Sequence, residues 1–172
     1  MKKLIYILIP LMLVSLFLLG CQESITPGLD KGPSAQAGNS NIGHLYLCEK
    51  EDFYVGGWNI VEGGAWGKMT YTLSGDAFEF VFNGHGLEAG EDYTLIYYRD
   101  PWPGRGLRCL GDGTANKGGN VNIKGEYPTD VSVTDAKIWL VLSDDVRCEG
   151  PTQMIGWNPE EYLFEYDLID FN

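Results

Sequence analysis

The sequence predicts an all-β domain, a β-sandwich of roughly eight or nine short strands akin to the immunoglobulin architecture, with a small β-barrel as the alternative. Three observations predict it. Apolar and polar residues alternate with period two in several windows, which puts one face of a strand in a core and the other in water. No window carries a 3.6-residue apolar stripe with capping residues. Finally, 23 Gly and 8 Pro punctuate the 172 residues too often for long helices.

The clearest pair of strands sets Met69, Tyr71 and Leu73, alternating with Lys68, Thr70 and Thr72, beside Phe78, Phe80 and Phe82, alternating with Ala77, Glu79 and Val81. Ser74-Gly75-Asp76 joins them as a hairpin turn, since Gly tolerates the positive φ that tight connections need. Tyr93 to Tyr98 and Ala136 to Leu142 are apolar on both faces and are expected to be central strands, covered on both sides. Tyr162, Phe164, Tyr166 and Leu168 are expected to share one face of a last strand, opposite Glu161, Glu165 and Asp167. Weaker strands are expected over His44 to Cys48, Trp58 to Val61, Leu107 to Leu110 and Asn120 to Lys124. Glycine-rich turns such as Gly84-His85-Gly86 and Asn116-Lys117-Gly118-Gly119-Asn120 separate them.

Ahead of the strands, residues 1–20 have the layout of a secretory leader: Lys2 and Lys3, then a nearly unbroken apolar run from Leu4 to Leu19. The run is short for a bilayer span, and Pro10 interrupts it. Leu18-Leu19-Gly20-Cys21 resembles the bacterial lipobox, which implies cleavage before Cys21 and acylation of its sulfur. Each buried CH₂ of such a chain contributes about 0.8 kcal/mol of membrane affinity, and two or three chains make a lasting anchor. The expected location is therefore outside the cell membrane, on the outer face of a plasma membrane or, since Gln22 rather than Asp follows the Cys, on an outer membrane. Residues 21–41 are rich in Gly, Pro, Ser, Ala and Asn and cannot bury enough apolar area to offset their ordering entropy, so they are expected to be a tether. Residues 42–172 form the one folded domain, of ordinary size for a single core.

Without Lys2 and Lys3, 24 acidic side chains stand against 10 basic ones, a net charge of −14. Such a surface repels nucleic acid, which is excluded as a partner. Solubility is its ordinary explanation.

Beyond Cys21 the cysteines are Cys48, Cys109 and Cys148. An oxidising compartment favours a disulfide, and Cys109 with Cys148 is the favoured pair, both at strand ends beside turns. Cys48, in a strand, is expected to be a buried free thiol. Three thiols permit three single pairings, and the sequence leaves the choice open.

No catalytic constellation is found, so the domain is read as non-enzymatic. The only histidines, His44 and His85, lie near no nucleophile elbow, and no spacing suits zinc. Acid pairs such as Asp144-Asp145 and Glu160-Glu161 follow from the acidic composition. No cofactor is expected. Asp112-Gly113-Thr114-Ala115-Asn116 resembles part of a calcium loop but lacks the regular ligands and terminal Glu, which leaves Ca²⁺ as the one metal to consider.

Two loops stand apart. Arg99, Arg105 and Arg108 surround Trp102 in Asp100-Pro101-Trp102-Pro103-Gly104, a basic island suited to a carboxylate or phosphate, with the indole as a platform for a sugar ring or cation. The alternative is that Trp102 plugs the end of the core and the arginines neutralise nearby acids. Gly156-Trp157-Asn158-Pro159-Glu160 is the second loop. Trp66 and Trp139 are expected in the core or on a strand face.

From about Leu45 onward the chain resembles an uncharacterised family of prokaryotic exported and cell-surface domains. The residues that carry the resemblance are Gly63-Gly64-Ala65-Trp66-Gly67-Lys68-Met69, Phe82-Asn83-Gly84-His85-Gly86-Leu87, Tyr93 to Tyr98, Asp100 to Gly104, Lys137 to Leu142 and Gly156-Trp157-Asn158-Pro159. The resemblance implies no activity; it implies cysteines matching Cys109 and Cys148, hence their pairing. The chain departs from the family in Arg99, Arg105 and Arg108 and in a shorter segment near Gly125 to Asp135, which puts a shared ligand of that loop in doubt. Together these readings predict a lipid-tethered surface or envelope protein whose β-sandwich binds a glycan or a protein. The alternatives are a carbohydrate-active hydrolase, its carboxylates converging only in three dimensions, and a structural spacer.

Overall fold

The computed structural model of the chain describes residues 41–54, 56–99, 106–128 and 133–171, with Val133 and Thr134 described by backbone alone. It is a β-sandwich. The strands are β1 (Ile42–Cys48), β2 (Trp66–Thr72), β3 (Ala77–His85), β4 (Asp92–Arg99), β5 (Arg108–Thr114), β6 (Val121–Pro128), β7 (Val133–Leu142), β8 (Val146–Arg147), β9 (Gln153–Met154), β10 (Phe164–Glu165) and β11 (Ile169–Phe171). Five form one sheet in the order β10-β1-β2-β3-β6, and four form the other in the order β11-β7-β4-β5; β8 and β9 make a separate two-stranded ribbon. Among the described residues no helix is long and apolar enough to cross a membrane.

Alternation decides which side chains meet between the sheets. Leu45, Leu47, Met69, Tyr71, Phe80 and Phe82 point inward from the first sheet. Tyr93, Leu95, Tyr97, Ile138, Leu140 and Phe171 meet them from the second. Burying a side chain of this size is worth about 1.5–3 kcal/mol, so a one-residue slip, which would turn every inward ring outward, is heavily disfavoured. The expected hairpin of β2 and β3 is present, with Met69 opposite Phe82 and Tyr71 opposite Phe80. The strands from Tyr93 and Ala136 are central, paired with each other from Tyr93↔Leu142 to Arg99↔Ala136.

The sheets close on each other differently at their two sides. Where β5 meets β6, glycines make the approach possible: a Cβ on Gly111 would lie 2.9 Å from Ile123 Cγ2, and one on Gly113 would lie 3.0 Å from Val121 Cγ2. At the other side, residues 163–166 are stitched to both sheets. Leu163 exchanges backbone hydrogen bonds with Leu140 at 2.9 Å each, while Tyr166 N donates to Tyr46 O at 2.8 Å.

Four expectations are corrected. The last strand is two pieces: Tyr162 and Phe164 are buried, but Tyr166 and Leu168 are 42% exposed, because the chain leaves the first sheet after β10 and joins the second as β11. Residues 58–61 form no strand; they belong to a turn that returns to β1 through a bridge between Lys50 and Ile60. The segment resembling a calcium loop is mostly strand, with Asp112 opposite Thr94 and Thr114 opposite Asp92. Cys48 is buried but not a free thiol: it is disulfide-bonded.

Candidate ligand-binding site

The second sheet is apolar on its outer face too, where β4 and β7 present Ile96, Tyr98, Trp139 and Val141. Such a face must be covered, and residues 143–165 cover it, adding Val146, Tyr162 and Phe164 to a second buried cluster. The disulfide Cys109–Cys148, with Cα atoms 5.8 Å apart, pins this cover to β5.

One buried carboxylate shapes the cover. Asp145 Oδ2 accepts hydrogen bonds from Tyr162 Oη at 2.5 Å and from Asn158 Nδ2 at 2.8 Å. Its backbone oxygen accepts from Ile155 N at 2.7 Å and Gly156 N at 3.1 Å. The carboxylate lies so close over the Cα of Gly156 that a side chain there would collide with it, which is the local reason for glycine. Burial, and then the hydrogen bond to Asp145, push the Tyr162 hydroxyl pKa up, which keeps it a donor. The turn Gly156-Trp157-Asn158-Pro159 is therefore fixed, and it holds Trp157 47% exposed, with its ring 5.9 Å from Trp139 and 5.7 Å from Tyr162.

From Trp157 the rings continue through the buried Trp139 and Phe164 to a second exposed group. Trp139 lies 4.9 Å from Phe164, Phe164 lies 4.4 Å from Trp58, and Trp58 lies 6.4 Å from Phe53. Phe53 is 63% and Tyr54 92% exposed. Trp58 holds a backbone φ of 70°, a left-handed conformation that costs a bulky residue about 1–3 kcal/mol; its contact with Phe164 is one interaction that holds it there. Polar groups interrupt the wall. The Glu165 carboxylate accepts from Trp139 Nε1, Lys50 Nζ donates to Glu165 O at 2.9 Å, and Lys137 Nζ sits 5.9 Å from the Tyr98 ring centre. Burial raises the Glu165 pKa despite the two lysines, and burial lowers that of Lys50.

The residues expected to bind do not all gather here. Trp102 and Arg105 lie outside the described residues, as does Cys21. Arg99 ends β4 and donates from Nε to Tyr97 Oη at 3.0 Å, while Arg108 opens β5 directly opposite Tyr97. Both thus share the sheet face of Tyr97, which points toward the sandwich interior, whereas Trp157 belongs to the opposite face. Trp58, Phe53, Tyr54, Glu165, Lys50 and Lys137 were not expected to contribute. The available signal was three aromatic residues within six positions around Gly56-Gly57, a turn where a core has no use for them.

A smaller polar cleft of about 160 Å³ is lined by Glu49, Glu88, Glu160 and Glu161 with Tyr93 and Tyr162. Glu49 Oε2 is already committed to Ala65 N at 2.8 Å, and Asp145 is the only fully buried carboxylate among the described residues. Among the described residues no three His, Cys, Asp or Glu side chains are grouped to hold a metal ion. The chain matches no family model, no curated protein and no solved structure.

Proposed function

We propose that this chain is an exported, lipid-anchored protein whose β-sandwich is a non-enzymatic binding module, and that the exposed rings of Trp157, Phe53 and Tyr54, at the two ends of this aromatic wall, receive a glycan. The observation that carries the reading is Trp157, half exposed on a turn locked to a buried carboxylate. Rigid presentation of an aromatic ring lowers the ordering cost of binding, and flat rings beside carboxylate, amide and ammonium groups suit the apolar faces and hydroxyls of sugars. The leader, the lipobox-like Cys21 and the disulfide of an oxidising compartment support export and anchoring.

A glycan array probed with the full chain in detergent, then with Trp157→Ala and Phe53→Ala, tests the module. Binding that drops at least tenfold in both variants, with unchanged melting, supports it. A glycan bound equally by all three proteins removes the wall as the contact.

A further inference from the structure

We infer that the outward face of β1, β2, β3 and β6 is a second binding surface, for an acidic polysaccharide whose sugar carboxylates meet Lys68 and Lys124 while a ring packs on Trp66. Unlike the outer face of the second sheet, this face is polar: the positions that alternate with the core residues are half-buried or exposed along β2, β3 and β6. The strand register arranges them in rows. In the first row Trp66 stands opposite His85, their rings 4.6 Å apart, and His85 Nδ1 is hydrogen-bonded to Asn120 Oδ1 at 2.7 Å. In the second, Tyr46, Lys68, Asn83 and Asn122 follow one another across four strands. There Lys68 Nζ lies 5.7 Å from the Tyr46 ring centre, and Asn122 Nδ2 donates to Asn83 Oδ1 at 2.8 Å. The third row is His44, Thr70, Val81 and Lys124, with His44 Nδ1 bonded to Thr70 Oγ1 at 3.2 Å.

Charge selects the occupant. The chain has twice as many acidic as basic side chains, 24 against 12, yet these three rows hold no carboxylate and contain two lysines. The fourth row reverses this, with Glu79 directly opposite Glu126, so an acidic chain is confined to the Trp66 side. Amides already bonded to one another keep their remaining donors and acceptors fixed for hydroxyls, and the indole offers a face to a sugar ring. An acidic protein would gain little from an ordinary cationic partner here; a sugar carboxylate matches the local field. This surface does not depend on the wall around Trp157.

Affinity electrophoresis of the full chain in detergent through gels containing polygalacturonate, or dextran as the neutral polymer, tests the inference. Retardation by polygalacturonate alone is expected, weakened at least tenfold in Lys68→Glu and in Lys124→Glu. Arg147→Glu, the same charge change in β8, and Trp157→Ala are each expected to change it less than twofold. Lys124 is exposed, so its variant serves even if Lys68→Glu fails to fold. No retardation of the wild type, equal retardation by dextran, equal losses in Arg147→Glu and Lys124→Glu, or loss in Trp157→Ala would each overturn the proposal.

Discussion

The hydroxyl of Tyr162 donates to the carboxylate of Asp145 at 2.5 Å across 17 residues of sequence, and both groups are buried. This bond and that from Asn158 close the segment that covers Trp139 and aims Trp157 outward. Removing the carboxylate with Asp145→Ala strands two donors, and a stranded buried group costs about 1–3 kcal/mol. Tyr162→Phe removes one bond and is expected to cost about 1 kcal/mol. Urea denaturation reads both losses. Acrylamide quenching of tryptophan fluorescence is expected to rise in Asp145→Ala; unchanged stability and quenching would show that Asp145 does not hold the turn.

The Cys109–Cys148 bond spans a sequence separation of 39. Closing a loop of that size removes about 4 kcal/mol of chain entropy from the unfolded state. The Cys109→Ser/Cys148→Ser double variant is expected to lose stability of that order, read from the denaturant midpoint. A loss under about 1 kcal/mol would mean that side-chain packing alone holds the cover to β5.

Glu165 gives the wall a dependence on pH. Burial raises its carboxyl above the ordinary 4.5, so the folded state holds this proton more tightly than the unfolded state. Its contribution to stability is fullest below pH 4.5 and is lost as pH rises through its folded value. Glu165→Gln keeps an acceptor for Trp139 and removes the titration. The stability of the variant relative to wild type is therefore expected to climb with pH above 4.5; a difference that stays flat from pH 4 to pH 7 would refute the assignment.

Mass spectrometry of tryptic peptides from the membrane fraction tests the proposed anchor. The anchor predicts a peptide beginning at acylated Cys21. A Cys21 found without acyl chains would end the lipoprotein reading.

Much of the sandwich was legible because alternation is a local signal. Phe78, Phe80 and Phe82 declare an inward face without reference to any partner, and two-sided apolarity from Ala136 to Leu142 announced that both faces would be covered. What did the covering was not legible. Tyr162, Phe164, Tyr166 and Leu168 alternate like one strand, but only Phe164–Glu165 pair with β1 before the chain crosses to the second sheet as β11. Trp58 reads as a strand residue beside Ile60, yet its positive φ follows two glycines and turns it back onto Phe164. Of the expected site, Trp157 could be picked out because Gly, Asn and Pro surround it. The other rings could not, since Phe53 and Trp58 reach Phe164 only through the pairing of β1 with β10, where Cys48 stands opposite Phe164 across more than a hundred residues.

The chain enters the domain at Asn41, whose side chain bonds Ser74 at 2.7 Å, and the aromatic wall lies near the opposite end of β1, beside Cys48. Seven residue steps of extended chain put about 23 Å between those points. If the N-terminus is anchored as proposed, tension between it and a captured ligand would run lengthwise along that strand. Its rungs to β2 would share the load in shear, so a hold on the ligand is resisted by the whole ladder at once instead of unzipping from one end.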